Sequence, residues 1–143
     1  RENLAVTSLC TAGVGNACAA GEFPGFKEAA PGTINTVVLI DGNLSEAAMV
    51  NAVITATEGK TRALYESGVR LPAGAAATGT CTDAVVIACT GKGEVLHYAG
   101  AATDLGFLIG RTVFKAVRQG VGEYLAVVGC ARPEAVAMDN LLN

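Results

Sequence analysis

The side chains best suited to chemistry fall in two short runs. Ala77-Thr-Gly-Thr-Cys-Thr-Asp83 places hydroxyls at alternate positions and ends on a carboxylate. If that run is extended, Thr78, Thr80 and Thr82 project to one side. A threonine hydroxyl is a weak nucleophile that needs a neighbouring base, which Asp83, Glu58 or His97 could bring in space. The same run also reads as an ordinary turn whose polar side chains cap backbone groups. Cys81 is a further candidate nucleophile, although nothing beside it in the sequence lowers a thiol pKa. In the second run, Glu58-Gly-Lys-Thr61, Glu58 and Thr61 share neighbouring parts of a helix face while Lys60 turns toward another. It reads either as a solvated helix end or as an acid/base pair at the edge of a cleft.

Other candidates are single residues. Asn16, Thr33 and Asn35 flank the first long loop. Their side chains suit gripping amides or an oxyanion, and equally suit capping turns. His97 is the only histidine, so a His-rich metal site is excluded and a catalytic zinc is not expected. A structural role for it competes with general base catalysis. Two nucleotide readings fail. Gly59-Lys60-Thr61 has the end of a P-loop, but Ile54 stands where its first glycine is required. Gly13-x-Gly15 is too short for a dinucleotide fingerprint and is followed by a loop rather than a helix.

The 143 residues suffice for one domain with a real core. Half of them are apolar (51%) and 16% are charged, which excludes disorder. A net charge of −3 excludes a nucleic-acid binder that works by bulk electrostatics. The uncharged stretch from Asn3 to Gly21 is too polar and too broken by glycine for a membrane span. As a signal peptide it has a poor basic flank, Arg1 followed by Glu2. The five cysteines follow no zinc or redox spacing and read as reduced thiols, so a cytoplasmic chain is expected. The opening Arg1-Glu2-Asn3 lacks Met, which reads as a piece of a longer protein. So apolar and weakly charged a surface also points to a homo-oligomer.

The elements that must position these residues are legible in outline. Asn3 to Cys10 reads as a strand, Thr11 to Pro31 as a long loop turning at Phe23-Pro24-Gly25-Phe26, and Thr33 to Ile40 as a second strand. Ser45 caps a helix from about Glu46 to Ser67 that Gly68 stops. Its first half is apolar nearly all round, which predicts burial on more than one side, and its second half is amphipathic. Ala84 to Cys89 reads as a strand that Gly91-Lys92-Gly93 turns into a hairpin with Glu94 to Tyr98. Thr103 or Asp104 caps a second helix reaching about Gln119. An apolar run from Tyr124 to Val128 follows, with a short helix after Pro133. The order, roughly ββαββα, predicts an α+β fold with an antiparallel or mixed sheet and two main helices.

Four segments read together resemble the adenosylcobinamide amidohydrolase family. They are Thr11-Ala-Gly-Val-Gly-Asn16-Ala17, Pro31-Gly-Thr-Ile-Asn35-Thr-Val-Val-Leu-Ile-Asp41, Leu44-Ser-Glu-Ala-Ala through Ile54-Thr-Ala-Thr-Glu58-Gly-Lys60-Thr61, and Ala77-Thr-Gly-Thr-Cys-Thr-Asp83. Tyr98-Ala-Gly and Leu105-Gly-x-Leu-Ile-Gly110 fit as well, so the likeness is collinear from about Val6 to Val117. The resemblance implies hydrolysis of the amide that joins a corrin propionyl side chain to aminopropanol, converting adenosylcobinamide to adenosylcobyric acid in corrinoid salvage. The corrinoid is then substrate, and no cofactor or metal is implied.

On that reading Glu58, Lys60, Thr80, Thr82, Asp83 and His97 are the catalytic candidates. Asn16, Thr33, Asn35, Thr78 and Gly79 are the substrate-binding ones. Glycines in the same loops (Gly13, Gly15, Gly32 and Gly79) would let backbone approach the amide-fringed ring. Gly42, Gly68, Gly91 and Gly93 punctuate turns, while Gly106 and Gly110 let another element pack closely. Three positions depart from the family pattern: Cys81 replaces a glycine, Ala102 stands near an expected histidine, and Phe107 near a polar residue. They keep open a related corrinoid-binding domain without chemistry. A third reading is an unrelated self-processing hydrolase with a threonine nucleophile.

Overall fold

The computed structural model describes residues 4–22 and 31–131. The Phe23 to Phe26 turn and the segment after Pro133 lie outside the described residues. In chain order the elements are β1 (Ala5–Ala12), β2 (Ala17–Cys18), β3 (Ile34–Asp41), β4 (Asn43–Leu44), α1 (Glu46–Glu66), β5 (Gly79–Thr80), β6 (Ala84–Cys89), β7 (Val95–Leu96) and α2 (Asp104–Ala131). The expected α+β class and its mixed sheet hold.

The sheet has the order β1-β3-β6. β1 runs antiparallel to β3, with Ala12 opposite Ile34, and β3 runs parallel to β6, with Asn35 opposite Ala84. A parallel neighbour needs a crossover, and α1 lies on that connection. Period-two side chains give the sheet two unlike faces. Ile34, Val38 and Ile40 point into the core beneath both helices, while Leu9, Leu39 and Val86 stand exposed on the open face.

Two short ribbons extend this frame at opposite ends. The β2–β5 pair is antiparallel, with Cys18 opposite Gly79; the β4–β7 pair is parallel, with Asn43 opposite Val95. The second pair corrects the expected hairpin. Thr90 N donates to Ile40 O and Gly91 N to Gly42 O, so the chain leaving β6 keeps following β3. Gly91 and Gly93, at φ of 70° and 86°, then swing it across to β4. Ser45 N donates to Leu96 O and closes that ribbon.

Both helices differ from expectation in a way that packing explains. α1 buries one face through Ala48, Ala52, Ala56, Ala63 and Leu64, but Val50, Val53 and Ile54 are exposed. The expected burial on several sides is therefore corrected among the described residues: the sheet and α2 cover part of α1, and no third layer of those residues covers the rest. α2 passes the expected stop near Gln119 and takes in Tyr124 to Val128. Its stripe Leu105, Ile109, Val113, Val117 and Val121 stays buried throughout. Gly120 sits where a Cβ would meet the Ala12 Cβ at 3.1 Å, so this glycine brings helix and β1 together rather than ending the helix. The helices cross at Gly59, where a Cβ would lie 2.9 Å from Gly110 O. Gly106 is fixed by packing too, since its Cβ would collide with the Gly100 carbonyl.

Candidate active site

Lys60 lies on the inner face of α1 and is only 7% exposed. A buried ammonium is costly unless it is paired and hydrogen-bonded. Its partner is Asp83, in the turn between β5 and β6; Lys60 Nζ donates to Asp83 Oδ2. The same oxygen accepts from Thr80 N at 3.1 Å. Asp83 Oδ1 accepts from Thr80 Oγ1 at 2.5 Å and from Ile34 N at 3.1 Å. Burial by itself raises the Asp83 pKa. The Lys60 hydrogen bond, the two Thr80 donors and the Lys60 charge outweigh it and hold the carboxyl below the ordinary carboxylate range. Asp83 is thus an ionised acceptor with the Thr80 hydroxyl aimed at it.

The fold makes this junction at the shared starting end of two parallel strands. β3 and β6 begin side by side, so the N–H that opens β3 meets the carboxylate that precedes β6. Gly79 completes it: a Cβ there would lie 2.5 Å from Asp83 Oδ2 and 2.9 Å from Lys60 Nζ. Glycine is required because the ion pair occupies the space of a side chain.

The threonine run is not extended. β5 covers only Gly79–Thr80, and Cys81 and Thr82 turn, so the three threonines do not line one side. Thr80 is buried against Asp83. Thr78 Oγ1 accepts from Ala20 N at 2.8 Å, and Thr78 O accepts from Thr61 Oγ1 at 3.1 Å, tying the first loop and α1 to β5. Thr82 is exposed: its O accepts from Thr33 Oγ1 at 2.9 Å, and its Oγ1 donates to Gly32 O at 3.5 Å. Asn16 lies beside Gly32, and its Oδ1 is buried with no hydrogen-bond partner among the described residues. Asn35 is on the open sheet face, where Nδ2 donates to Thr11 Oγ1 at 3.2 Å.

Two catalytic candidates are placed elsewhere. Glu58 faces away from Lys60 and lines an open groove of about 410 Å³ between the helices, with Arg62, Phe107, Arg111, Phe114 and Lys115. Arg62 stacks over the Phe114 ring at 4.6 Å. His97 is exposed just after β7, in a hollow with Leu4, Tyr98, Ala102 and Asp104. That hollow lies beyond the far end of β3, on the order of 20 Å from Asp83 at the usual rise per strand residue. Neither side chain reaches the Lys60–Asp83 pair. Sequence reasoning missed the Ile34 N–H donor, because a backbone amide carries no residue-type signal.

The adenosylcobinamide amidohydrolase family model matches residues 1–128. The chain belongs to that family. An adenosylcobinamide amidohydrolase of Methanosarcina mazei is 37% identical over 125 residues, 81% of this chain and 56% of that protein. Another, from Halobacterium salinarum, is 38% identical over 119 residues, 79% of this chain and 48% of that protein. An uncharacterised protein of Methanocaldococcus jannaschii is 38% identical over 88 residues. This family member spans about half the length of the two named relatives. No solved structure matches it.

The segments that carry the resemblance gain a spatial meaning. Gly59 to Thr61, Ala77 to Asp83, Pro31 to Asn35 and Thr11 to Ala17 converge on the Lys60–Asp83 junction through the contacts above. Tyr98-Ala-Gly and Leu105 to Gly110 instead meet each other around Gly100 and Gly106. Of the three positions expected to depart from the family pattern, Cys81 stands beside the junction and donates to Asn16 O at 3.5 Å. Ala102 lines the His97 hollow and Phe107 the interhelical groove.

Proposed function

We propose that this chain hydrolyses the aminopropanol amide of adenosylcobinamide, giving adenosylcobyric acid in corrinoid salvage, with Lys60, Thr80 and Asp83 as the reacting groups. The observation that carries this reading is the buried Lys60–Asp83 pair with the Thr80 hydroxyl bonded to it, where the segments that carry the resemblance meet, in a chain that the family model matches. Amide hydrolysis needs a nucleophile, a group that stabilises the oxyanion and a proton for the leaving amine. Thr80 Oγ attacks the amide carbonyl carbon while its proton passes to Asp83. The carbonyl electron pair becomes an oxyanion that the Lys60 ammonium stabilises. When the C–N bond breaks, Asp83 passes that proton to the leaving nitrogen, the amine departs and a threonyl ester remains. Water then cleaves that ester, releasing the carboxylate and restoring Thr80. Because Lys60 and the Thr80 donors hold down the basicity of Asp83, positioning and the Lys60 charge carry most of the rate.

The remaining polar groups fit an amide-rich ligand. The buried, unpartnered Asn16 Oδ1 is matched by an amide N–H of the substrate, since such an acceptor is costly to leave unpaired. Thr33 and Thr82 lie near it around Gly32, and Asn35 stands on the open sheet face beside Thr11. The free thiols of Cys10, Cys18, Cys81 and Cys89 suit a cytoplasmic setting. No helix among the described residues is long and apolar enough to cross a membrane. The open apolar sheet face supports self-association.

Thr80→Ala and Thr80→Ser test the reading with purified protein, adenosylcobinamide and mass-spectrometric detection of aminopropanol. Thr80→Ala is expected to lose release by on the order of a thousandfold, while Thr80→Ser, which keeps a hydroxyl nucleophile, retains it. Acid quenching of the wild type should trap a chain heavier by the corrinoid acyl group. Undiminished release by Thr80→Ala, or corrinoid binding with no release by the wild type, overturns it.

A further inference from the structure

The groove between α1 and α2 takes no part in the reaction above. On a chain of net charge −3, its walls carry three cations, Arg62, Arg111 and Lys115, and one carboxylate, Glu58. Opposite charges that share one groove are expected to pair. Here Arg62 is taken by Glu66, at 2.8 Å, and by the Phe114 ring. No ion pair among the described residues takes Glu58, Arg111 or Lys115.

The helices set these groups in order. Phe107, Arg111 and Lys115 recur every four residues along α2 and form one row. At about 1.5 Å per residue that row spans about 12 Å. The helices run alongside each other in the same direction: Gly59 meets Gly110, Arg62 the Phe114 ring, and Glu66 the Arg118 guanidinium. Glu58 therefore stands level with the Phe107–Arg111 end of the row, and Lys115 lies toward the other end. The Phe107 ring is 56% exposed, and the Arg111 guanidinium lies 5.9 Å from its centre. An exposed ring with cations beyond it and a lone carboxylate across from it is complementary to a flat ring that bears N–H donors and a tethered anion. The volume, about 410 Å³, is that of a small-molecule site.

We propose that this groove binds a purine nucleoside phosphate. The base stacks on Phe107. Glu58, an acceptor with two oxygens, takes the N–H donors of the base edge, which favours guanine, with two adjacent donors, over adenine. The phosphate reaches Arg111 and Lys115 further along the row through charge-assisted hydrogen bonds. The P-loop-like Gly59-Lys60-Thr61 is not involved as such: Lys60 is turned inward to Asp83, and only Gly59 lines the groove. The groove takes this ligand whether or not Lys60, Thr80 and Asp83 are the reacting groups.

The test titrates GMP into the purified chain by calorimetry, beside AMP, guanosine and inorganic phosphate. Saturable binding of GMP is expected, with each of the other three weaker by about tenfold or more. Arg111→Glu and Lys115→Glu should each weaken GMP by about tenfold or more. Phe107→Ala should weaken it about tenfold, while Phe107→Tyr keeps the ring and the affinity. All three positions are exposed, so the variants should keep the wild-type circular dichroism and melting. Glu58→Gln is expected to remove the preference for GMP over AMP. Inorganic phosphate binding as tightly as GMP marks a surface anion site only and overturns the proposal. So does the absence of saturable GMP binding, or GMP binding that Arg111→Glu leaves unchanged. Thr80→Ala, which decides the catalytic reading, should bind GMP as the wild type does.

Discussion

A lysine buried on the inner face of a helix has its charge met or it does not stay there. Asp83 meets that of Lys60, and the pair holds the Thr80 hydroxyl in place. Asp83→Asn keeps the shape but leaves Lys60 facing a neutral amide, at an expected cost of about 3 kcal/mol near neutral pH. The sign of the pH dependence follows from the lowered Asp83 pKa. The unfolded chain binds this proton more readily, so the stabilisation is present above the ordinary carboxylate pKa and is lost as pH falls through the folded value. Denaturant melts of the two proteins should therefore converge in strong acid; a gap that stays constant with pH contradicts the pairing. The residue types were legible beforehand, since Lys60, Thr80 and Asp83 stood among the candidates. Their grouping was not, because Glu58 and His97 looked equally able to serve.

At the scale of elements, glycine does two opposite things within the helices. Gly59 sits at the crossing, where an added Cβ would press on Gly110 O at 2.9 Å; Gly122 faces open space. Gly59→Ala is expected to destabilise by about 1–3 kcal/mol through overpacking. Gly122→Ala should stabilise by about 0.4–1 kcal/mol, because it restricts the unfolded chain without a native clash. Thermal melts of the two variants should move in opposite directions, and a shared direction contradicts the crossing geometry. Helical periodicity foretold α1 from Glu46, and α2 from Asp104 with its buried stripe. It failed at the end of α2, because a glycine that stops a helix and a glycine that packs against a strand look alike in sequence. It failed at β7 too, since turn glycines announce a change of direction but not the partner reached.

For the whole molecule, the consequence is a layer of helices on one side of the sheet and an apolar face on the other. Leu9, Leu39 and Val86 stand exposed there with few charges around them. Faces of this kind pack against a second sheet about 10 Å away. Sedimentation velocity is expected to show an associating species, and Leu39→Lys, which puts a charge at the centre of that face, should return it to monomer with its secondary structure intact. A wild type that stays monomeric at every concentration counts against this use of the face.

The sequence alone determined the class of fold, the two helices, the family and the short list of chemical side chains, because periodicity, caps and motif order are local or collinear properties. Tertiary structure decided which members of that list meet. The parallel pairing of β3 with β6 brings Ile34 N to Asp83, and the inner face of α1 brings Lys60 to both. The same pairing leaves His97 at the far end of the sheet, and helix geometry turns Glu58 outward. Which strand lies beside which depends on how apolar faces are shared over the whole chain, and no local pattern encodes that.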